Sequence, residues 1–297
     1  MTSQTPPLTS WLLAIRPKTL TAALVPIVVG TTLAQSTSGR SHLDLSLFAL
    51  LCALLIQIGT NFINDALDFE KGADTAERIG PQRVTQSGLL SSEQVWRGGM
   101  LAFMFSVVLA LPLVAAGGWP IILIGILSIL AGYAYTGGPY PLAYVGLGDL
   151  FVVVFFGWVA VGGIYYLNAD EMTTAAWVAG TQVGLLSTVM IAINNLRDHK
   201  TDREVGKKTL AVRLGPSLAK IEIALLSLLP FVGSIYWWKQ GMTWAALLPF
   251  GIFPLALFLV KRVFEEEPSA IYNRFLARGA LLHLAFGILL SIGLMIR

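Results

Sequence analysis

Asn61, Asn64, Asp65 and Asp68 close a long apolar run that begins near Leu45. On a helix, at about 100° per residue, they fall within an arc of roughly 100° on one face. Acids and amides are costly in hydrocarbon, so a cluster of four at the end of such a run calls for a function. Hard oxygen donors of this kind suit Mg²⁺. The pattern recurs where Asn194, Asn195, Asp198 and Asp202 end another apolar run, again on one face. In both copies an Asn precedes the first Asp by four residues, a second carboxylate follows one turn later, and a basic loop comes next. Two carboxylate pairs, Asp65 with Asp68 and Asp198 with Asp202, ringed by Lys and Arg, predict a metal-bridged diphosphate. Carboxylates alone would repel that anion, and Mg²⁺ reverses the sign.

Basic side chains are expected at the outer oxygens and the leaving group. Arg83 and Lys207 follow the acids directly and are assigned there, Lys207 among the catalytic residues. Arg16 and Lys18, at the edge of the first apolar run, read either as snorkelling anchors or as contacts to the diphosphate or a substrate carboxylate. Arg78 and Arg213 carry the same two readings. Asp149 opens a helix, where the dipole favours an acid, or contacts a substrate ring. Gln57 extends the polar stripe before Asn61. His283 is read as an interhelical hydrogen-bonding residue, Cys52 as packing, and Glu265–Glu267 as a solvated loop.

The elements that must position these residues are membrane spans. The chain of 297 residues is 55% hydrophobic and 12% charged, with mean hydropathy +0.71, which places it outside soluble proteins. A net charge of only +3 speaks against a nucleic-acid partner. One cysteine excludes an intrachain disulfide and a cysteine metal site. Residues 1–10 are polar and Pro-rich, without a signal-peptide pattern. About 20 apolar residues make a span, and nine are expected: 12–35, 45–69, 93–116, 119–136, 147–167, 174–197, 216–238, 243–264 and 271–296. With the N-terminus inside, 17 of the 20 Lys and Arg fall on the cytoplasmic side, leaving Arg40, Lys239 and Arg297 outside. The expectation is an all-α, polytopic, nine-span bundle forming a single domain over 1–297 in the plasma (inner) membrane. Its two halves repeat, and the active-site loops are cytoplasmic.

A diphosphate at the face of a hydrophobic bundle implies a lipid that carries it. Metal-assisted ionisation of an allylic C–O bond would then need shelter from water and aromatic faces for the cation. Tyr133, Tyr135, Phe155, Phe156 and Trp158 are candidates for those faces.

The pattern Asn64-Asp65-x-x-Asp68-x-x-x-Gly72-x-Asp74, followed by Asp198-x-x-x-Asp202, resembles the UbiA superfamily of intramembrane aromatic prenyltransferases. Arg16-Pro17-Lys18-Thr19-Leu20, Tyr135-Thr136-Gly137, Gly146-Leu147-Gly148-Asp149 and Thr209-Leu210-x-Val212-Arg213 support it. Gly72-x-Asp74 resembles the branch acting on 1,4-dihydroxy-2-naphthoate in menaquinone biosynthesis. The resemblance implies nine helices and transfer from polyprenyl diphosphate to that ring, with loss of pyrophosphate and CO₂. It also implies Mg²⁺ on Asp65, Asp68, Asp198 and Asp202. Asn61, Asn64, Asp74, Arg83, Tyr135, Asp149, Asn194, Asn195, Arg16 and Lys18 are expected around the substrates. Three alternatives stay open at this point: another aromatic acceptor such as 4-hydroxybenzoate, a multi-pass transporter, or a Mg²⁺ channel. A CDP-alcohol phosphotransferase is disfavoured because its Asp-x-x-Asp-Gly-x-x-Ala-Arg signature is missing.

Overall fold

The computed structural model describes residues 8–74 and 79–296, the Lys18 side chain excepted. All regular elements among the described residues are helical. α1 (Leu8–Ile15) and a 3₁₀ turn (Pro17–Thr19) lead into α2 (Thr21–Ser38) and α3 (Leu43–Glu70). α4 (Ser92–Leu109), α5 (Leu111–Gly117) and α6 (Trp119–Ala134) follow. α7 (Gly148–Val152) passes through a π-helical stretch (Val153–Val159) into α8 (Ala160–Ala169). The remainder is α9 (Thr174–Glu204), α10 (Leu210–Leu214), α11 (Pro216–Val232), α12 (Ser234–Lys239), α13 (Thr243–Leu247), a 3₁₀ turn (Leu248–Ile252), α14 (Phe253–Glu265) and α15 (Tyr272–Met295).

Among the described residues, six helical units are long and apolar enough to cross a membrane: α3, α7–α8, α9, α11–α12, α13–α14 and α15. A seventh candidate is α4–α5, bent by 42°. Pro112 in the first turn of α5 accounts for the bend, since its ring clashes with the preceding turn and it offers no N–H. Two of the nine expected spans fall short. α6 is apolar but has 16 residues. The expected span 12–35 is broken at Arg16, which adopts a left-handed conformation (φ 56°, ψ 67°) before Pro17. Its second part, α2, is loaded with Thr and Ser from Thr31 to Ser38.

α9 is the most buried of the six and the axis of the bundle. The main core gathers around it from α2, α8, α11 and α15, through Val29, Tyr165, Val183, Leu186, Ile223 and Phe286. A smaller core of Ile27, Ala49, Cys52, Leu113, Ile121 and Leu167 joins α2, α3, α5, α6 and α8 at the end remote from the acids. A third, with Ala14, Phe62, Ala66, Val84, Leu90 and Val95, pins the loop before α4 onto α3. α4 itself begins with a capping box. Ser91 Oγ accepts from the Gln94 amide, and the Gln94 side chain accepts from the Ser91 amide.

Candidate active site

Both acidic stretches lie in the last turns of long helices. A helix C-terminus carries a partial negative charge, so Asp68 and Asp202 stand where a carboxylate is least favourable and a cation most. The two ends are built alike. Gly72 (φ 70°) and Gly206 (φ 74°) take left-handed conformations one turn beyond each Asp. The Ala73 amide donates to the Asp68 carbonyl at 2.8 Å, and the Lys207 amide donates to the Asp202 carbonyl at 2.8 Å. This closure needs a residue tolerant of positive φ, which glycine supplies. It turns the chain back over the acids, bringing Asp74 after one helix and Lys207 after the other.

Each acid has a partner. Asp65 is 1% exposed and accepts from the Thr85 amide (3.2 Å), the Val84 amide (3.4 Å) and the Thr85 hydroxyl. Arg16 Nη2 lies 3.6 Å from its Oδ2. Asp68 accepts from the Tyr144 hydroxyl at 2.8 Å and has Arg83 Nη2 at 3.9 Å. Arg197 chelates Asp198 through Nε (2.7 Å) and Nη2 (2.6 Å), and Lys207 Nζ is 3.6 Å from Asp202. Tyr144 joins the two helix ends, since its hydroxyl donates to Asp68 and its ring centroid lies 5.4 Å from the Nζ of Lys207, the partner of Asp202, so the two halves do meet.

Residues that share one helix face nonetheless turn to different partners. Asp65 turns to the Val84–Thr85 loop, while Asn64 accepts from the Thr136 hydroxyl. Asn61 donates to the Ile15 carbonyl (2.9 Å) and to Thr19 Oγ1 (3.1 Å), fixing the end of α1 on α3. Asn194 accepts from Arg197 Nη2 (2.7 Å), and Asn195 donates to Asp149 Oδ2 (3.4 Å). Among the described residues, no three Asp, Glu, His or Cys side chains are grouped to hold a metal unaided. Like charges are held apart on their own basic partners. The donor set still fits Mg²⁺, which commonly takes one or two carboxylates and completes its shell with water and phosphate oxygens.

A cavity of about 1190 Å³ opens beside the acids and runs through the bundle between α3, α6, the π-helical stretch and α9. Of the expected residues, Arg16, Asn61, Asn64, Asp68, Arg83 and Tyr135 line it from the first half, and Asn194, Asn195 and Lys207 from the second. Asp65, Asp74, Asp149, Asp198 and Asp202 are not in the lining and stand behind it. Lys18 and Arg78 lie outside the described side chains. Phe155 and Phe156 line the cavity with Tyr135. Tyr133 and Trp158 do not, and Trp158 packs on Trp177 and donates to Thr181 Oγ1. His283 contacts Ser187 Oγ at 3.4 Å, the interhelical bond expected of it.

The Arg83 guanidinium is 7% exposed. Its Nε is 3.2 Å from Asp74 Oδ2 but not aligned to donate, and its Nη1 has no hydrogen-bond partner among the described residues. A buried cationic donor on the cavity wall is a ready anion contact.

Sequence reasoning missed Tyr144, Lys71 and Arg197. The Tyr144 ring lies under two ammonium groups, Lys71 Nζ at 4.7 Å and Lys207 Nζ at 5.4 Å from its centroid, while its hydroxyl holds Asp68. Burial, with the Asp68 charge second, raises the Tyr144 phenol above its ordinary value and keeps it a donor. Burial also lowers Lys71, against an upward pull from Asp68. The one sequence signal for this second layer was Gly206, four residues after Asp202 as Gly72 is after Asp68.

Residues 23–287 match the UbiA prenyltransferase family, and the chain belongs to it. It is 42% identical over 214 residues to a 1,4-dihydroxy-2-naphthoate octaprenyltransferase of Escherichia coli (strain K12), covering 69% of this chain and 68% of that one. The enzyme of the same name from Haemophilus influenzae is 35% identical over 305 residues, 96% of each chain. The fold is similar to a UbiA homolog from Archaeoglobus fulgidus bound to GPP and Mg²⁺ (TM-score 0.62, 16% identity, 95% of this chain and 99% of that one).

Proposed function

We propose that the protein transfers a polyprenyl group from polyprenyl diphosphate to 1,4-dihydroxy-2-naphthoate, with loss of pyrophosphate and CO₂, to give demethylmenaquinone. The observation that carries this reading is the junction of two acid-tipped helix ends with one apolar chamber. A charged head fits one end of that space and only hydrocarbon fits the rest. The names of the two naphthoate-prenylating relatives support the acceptor.

Asp68 on the chamber wall, with Asp65, Asp198 and Asp202 behind the wall and Asn64 and Asn194 in it, are the residues that would hold Mg²⁺. Mg²⁺ bound with the diphosphate would supply Lewis acidity at the leaving group. Arg83 and Lys207 bind the diphosphate oxygens and receive the charge that builds as the allylic C–O bond breaks. Tyr135, Phe155 and Phe156 offer ring faces to the allylic cation, and the apolar walls keep water from it. Arg16, on the cavity wall beside Asp65, is placed to take the naphthoate carboxylate. Its strained backbone fits a residue held in place for function. Asp149 orients Asn195 from behind. The same reading takes 1–297 as one integral-membrane domain. α2 and α6 join the seven candidates to make nine spans, and the mouth faces the cytoplasm, where Lys and Arg concentrate.

The test is incubation of purified protein with Mg²⁺, a prenyl diphosphate and several aromatic acids, followed by mass spectrometry. Prenylated, decarboxylated naphthoate is expected. Equal or better prenylation of 4-hydroxybenzoate would refute the acceptor, and ion flux in liposomes without any product would refute the enzyme.

Tyr144→Phe keeps the ring under both ammonium groups and removes the bond to Asp68. Hydrogen bonds to charged groups contribute about 1.5–3 kcal/mol. We therefore expect kcat/KM for the prenyl donor to fall about tenfold or more, with an increased Mg²⁺ requirement. Unchanged kinetics would mean that Tyr144 is packing only.

A further inference from the structure

Two loops meet at the acid end of the bundle, residues 135–147 between α6 and α7 and residues 205–209 between α9 and α10. The first carries Tyr144 and the second Lys207, whose Nζ lies 5.4 Å from the Tyr144 ring centroid. Loops have no repeating ladder to fix one against the other, so the placement of these two side chains depends on a few particular bonds. The Lys208 amide donates to the Tyr144 carbonyl at 2.9 Å. Two more bonds come from a single residue, Arg213 of α10. Its Nε donates to the Lys208 carbonyl at 3.1 Å, and its Nη2 donates to the Val145 carbonyl at 2.9 Å.

The loops approach closely at the same point. Gly146, beside Val145, has φ 77°, and a Cβ there would meet the Lys208 carbonyl oxygen at 2.7 Å and Arg213 Nε at 2.9 Å. Both the left-handed backbone and the contact require glycine. Arg213 does not line the cavity, so it does not touch a substrate held there. A guanidinium presents its donors in a fixed planar fork, which suits two carbonyls from separate loops. Lys offers one nitrogen on a flexible stem and cannot span them in the same way.

Resting on the reading that a prenyl diphosphate reacts in this chamber, we propose that Arg213 is a positioning residue for the reaction. It clamps the two loops in the register that sets the Tyr144 hydroxyl on Asp68 and the Lys207 ammonium over the Tyr144 ring. Tyr144 belongs to the first half and Lys207 to the second. Releasing the clamp therefore shifts the donor to Asp68 and the cation beside Asp202 together, and weakens the site for Mg²⁺ and diphosphate at both acids.

Arg213→Lys keeps the charge and gives up the fork, and Arg213→Ala removes both. Each is assayed for prenylation of 1,4-dihydroxy-2-naphthoate from octaprenyl diphosphate across a Mg²⁺ titration, alone and combined with Tyr144→Phe. Arg213→Lys is expected to lower kcat/KM for the prenyl donor about tenfold, nearly as Arg213→Ala does, and to raise the Mg²⁺ concentration at half-maximal rate. In the Tyr144→Phe background the same change should cost less than about threefold, because residues acting through one network are not additive. A folding defect lowers the maximal rate and leaves the Mg²⁺ half-point where it was. If the Arg213 variants do not fold, Gly146→Ala parts the same loops from the other side and decides by the same Mg²⁺ shift. An unmoved half-point, or losses that multiply in full with those of Tyr144→Phe, overturns this inference alone. Full activity in Arg213→Lys with loss only in Arg213→Ala does the same, because Arg213 would then act by charge. If the wild type prenylates no naphthoate, the functional reading falls and this inference falls with it.

Discussion

Asp68→Asn and Asp202→Asn are each expected to cut turnover by on the order of 10²-fold or more while leaving the protein folded in detergent. Asn keeps the shape and one carbonyl oxygen of Asp but not the charge. At Asp68 it still accepts from Tyr144, and at Asp202 the helix end still closes on the Lys207 amide, because that bond uses the main-chain carbonyl. Each change removes a negative charge from a helix C-terminus, which favours the helix, but also takes a partner from the buried Arg83 or the half-buried Lys207, which costs stability. The melting temperature should therefore fall modestly while turnover falls by orders of magnitude. Asp65→Asn separates from these two. Its carboxylate takes two backbone amides and a hydroxyl from the Val84–Thr85 loop. An amide NH₂ facing those donors would loosen the loop as well as remove the charge. Asp65→Asn should thus lose activity together with protection of the segment before α4 from proteolysis. Steady-state kinetics beside limited proteolysis distinguish the two outcomes. Near wild-type turnover in both Asp68→Asn and Asp202→Asn would sink the model in which metal and diphosphate bind between the halves.

Much of this site was legible in the sequence because its first layer is local. Asn61 to Asp68 and Asn194 to Asp202 each lie on one helix, so spacing alone places them on a face. The helical class and the membrane setting follow from apolar runs too long for anything else. The partners of the acids were not legible, for three separate reasons. Tyr144 and Thr85 sit in loops, and nothing in their local sequence says which helix end they will touch. Arg197 adjoins Asp198, and neighbours on a helix normally point about 100° apart. Only a long, fully buried Arg, also donating to Asn194 and to Asn273 of α15, folds back to chelate the next residue. The break at Arg16 was hidden because hydropathy does not register a left-handed residue before proline. The aromatic residues near the chamber were not sorted because their helix is apolar on all sides, so hydropathy does not say which face meets the cavity. Val152, Phe155, Phe156, Val159, Ala160 and Gly163 line it at helical spacing, and Trp158 falls off that face.

Gly157→Val is expected to cost most of the folded protein, and the reason lies in how the second half is joined. The π-helical stretch crosses α9 at backbone contact. A Cβ on Gly157 would meet the Gly180 carbonyl oxygen at 2.3 Å and Gly184 Cα at 2.9 Å, and one on Gly184 would meet the Val153 carbonyl oxygen at 2.6 Å. These obstacles are main chain and have no rotamer to change, so the two helices must part. Small residues serve this purpose in membrane bundles, where close backbone approach replaces the hydrophobic drive of water. Overpacking a tight core costs about 1–3 kcal/mol, and a rigid backbone wall puts this site at the upper end or beyond. The same seam carries the hydrogen bond between Asn195 on α9 and Asp149 on α7. Parting the helices therefore displaces Asn195 from the chamber wall, and Asp198 one turn further along α9 from the diphosphate site. Melting temperature in detergent should drop sharply for Gly157→Val, with turnover falling in proportion in whatever protein remains folded. Gly251→Ala is the control, since the nearest atom to its added Cβ is 3.9 Å away. If Gly157→Val melts with the wild type while Gly251→Ala does too, the seam is looser than its contacts imply, and α9 is held by its packing on α11 and α15 instead.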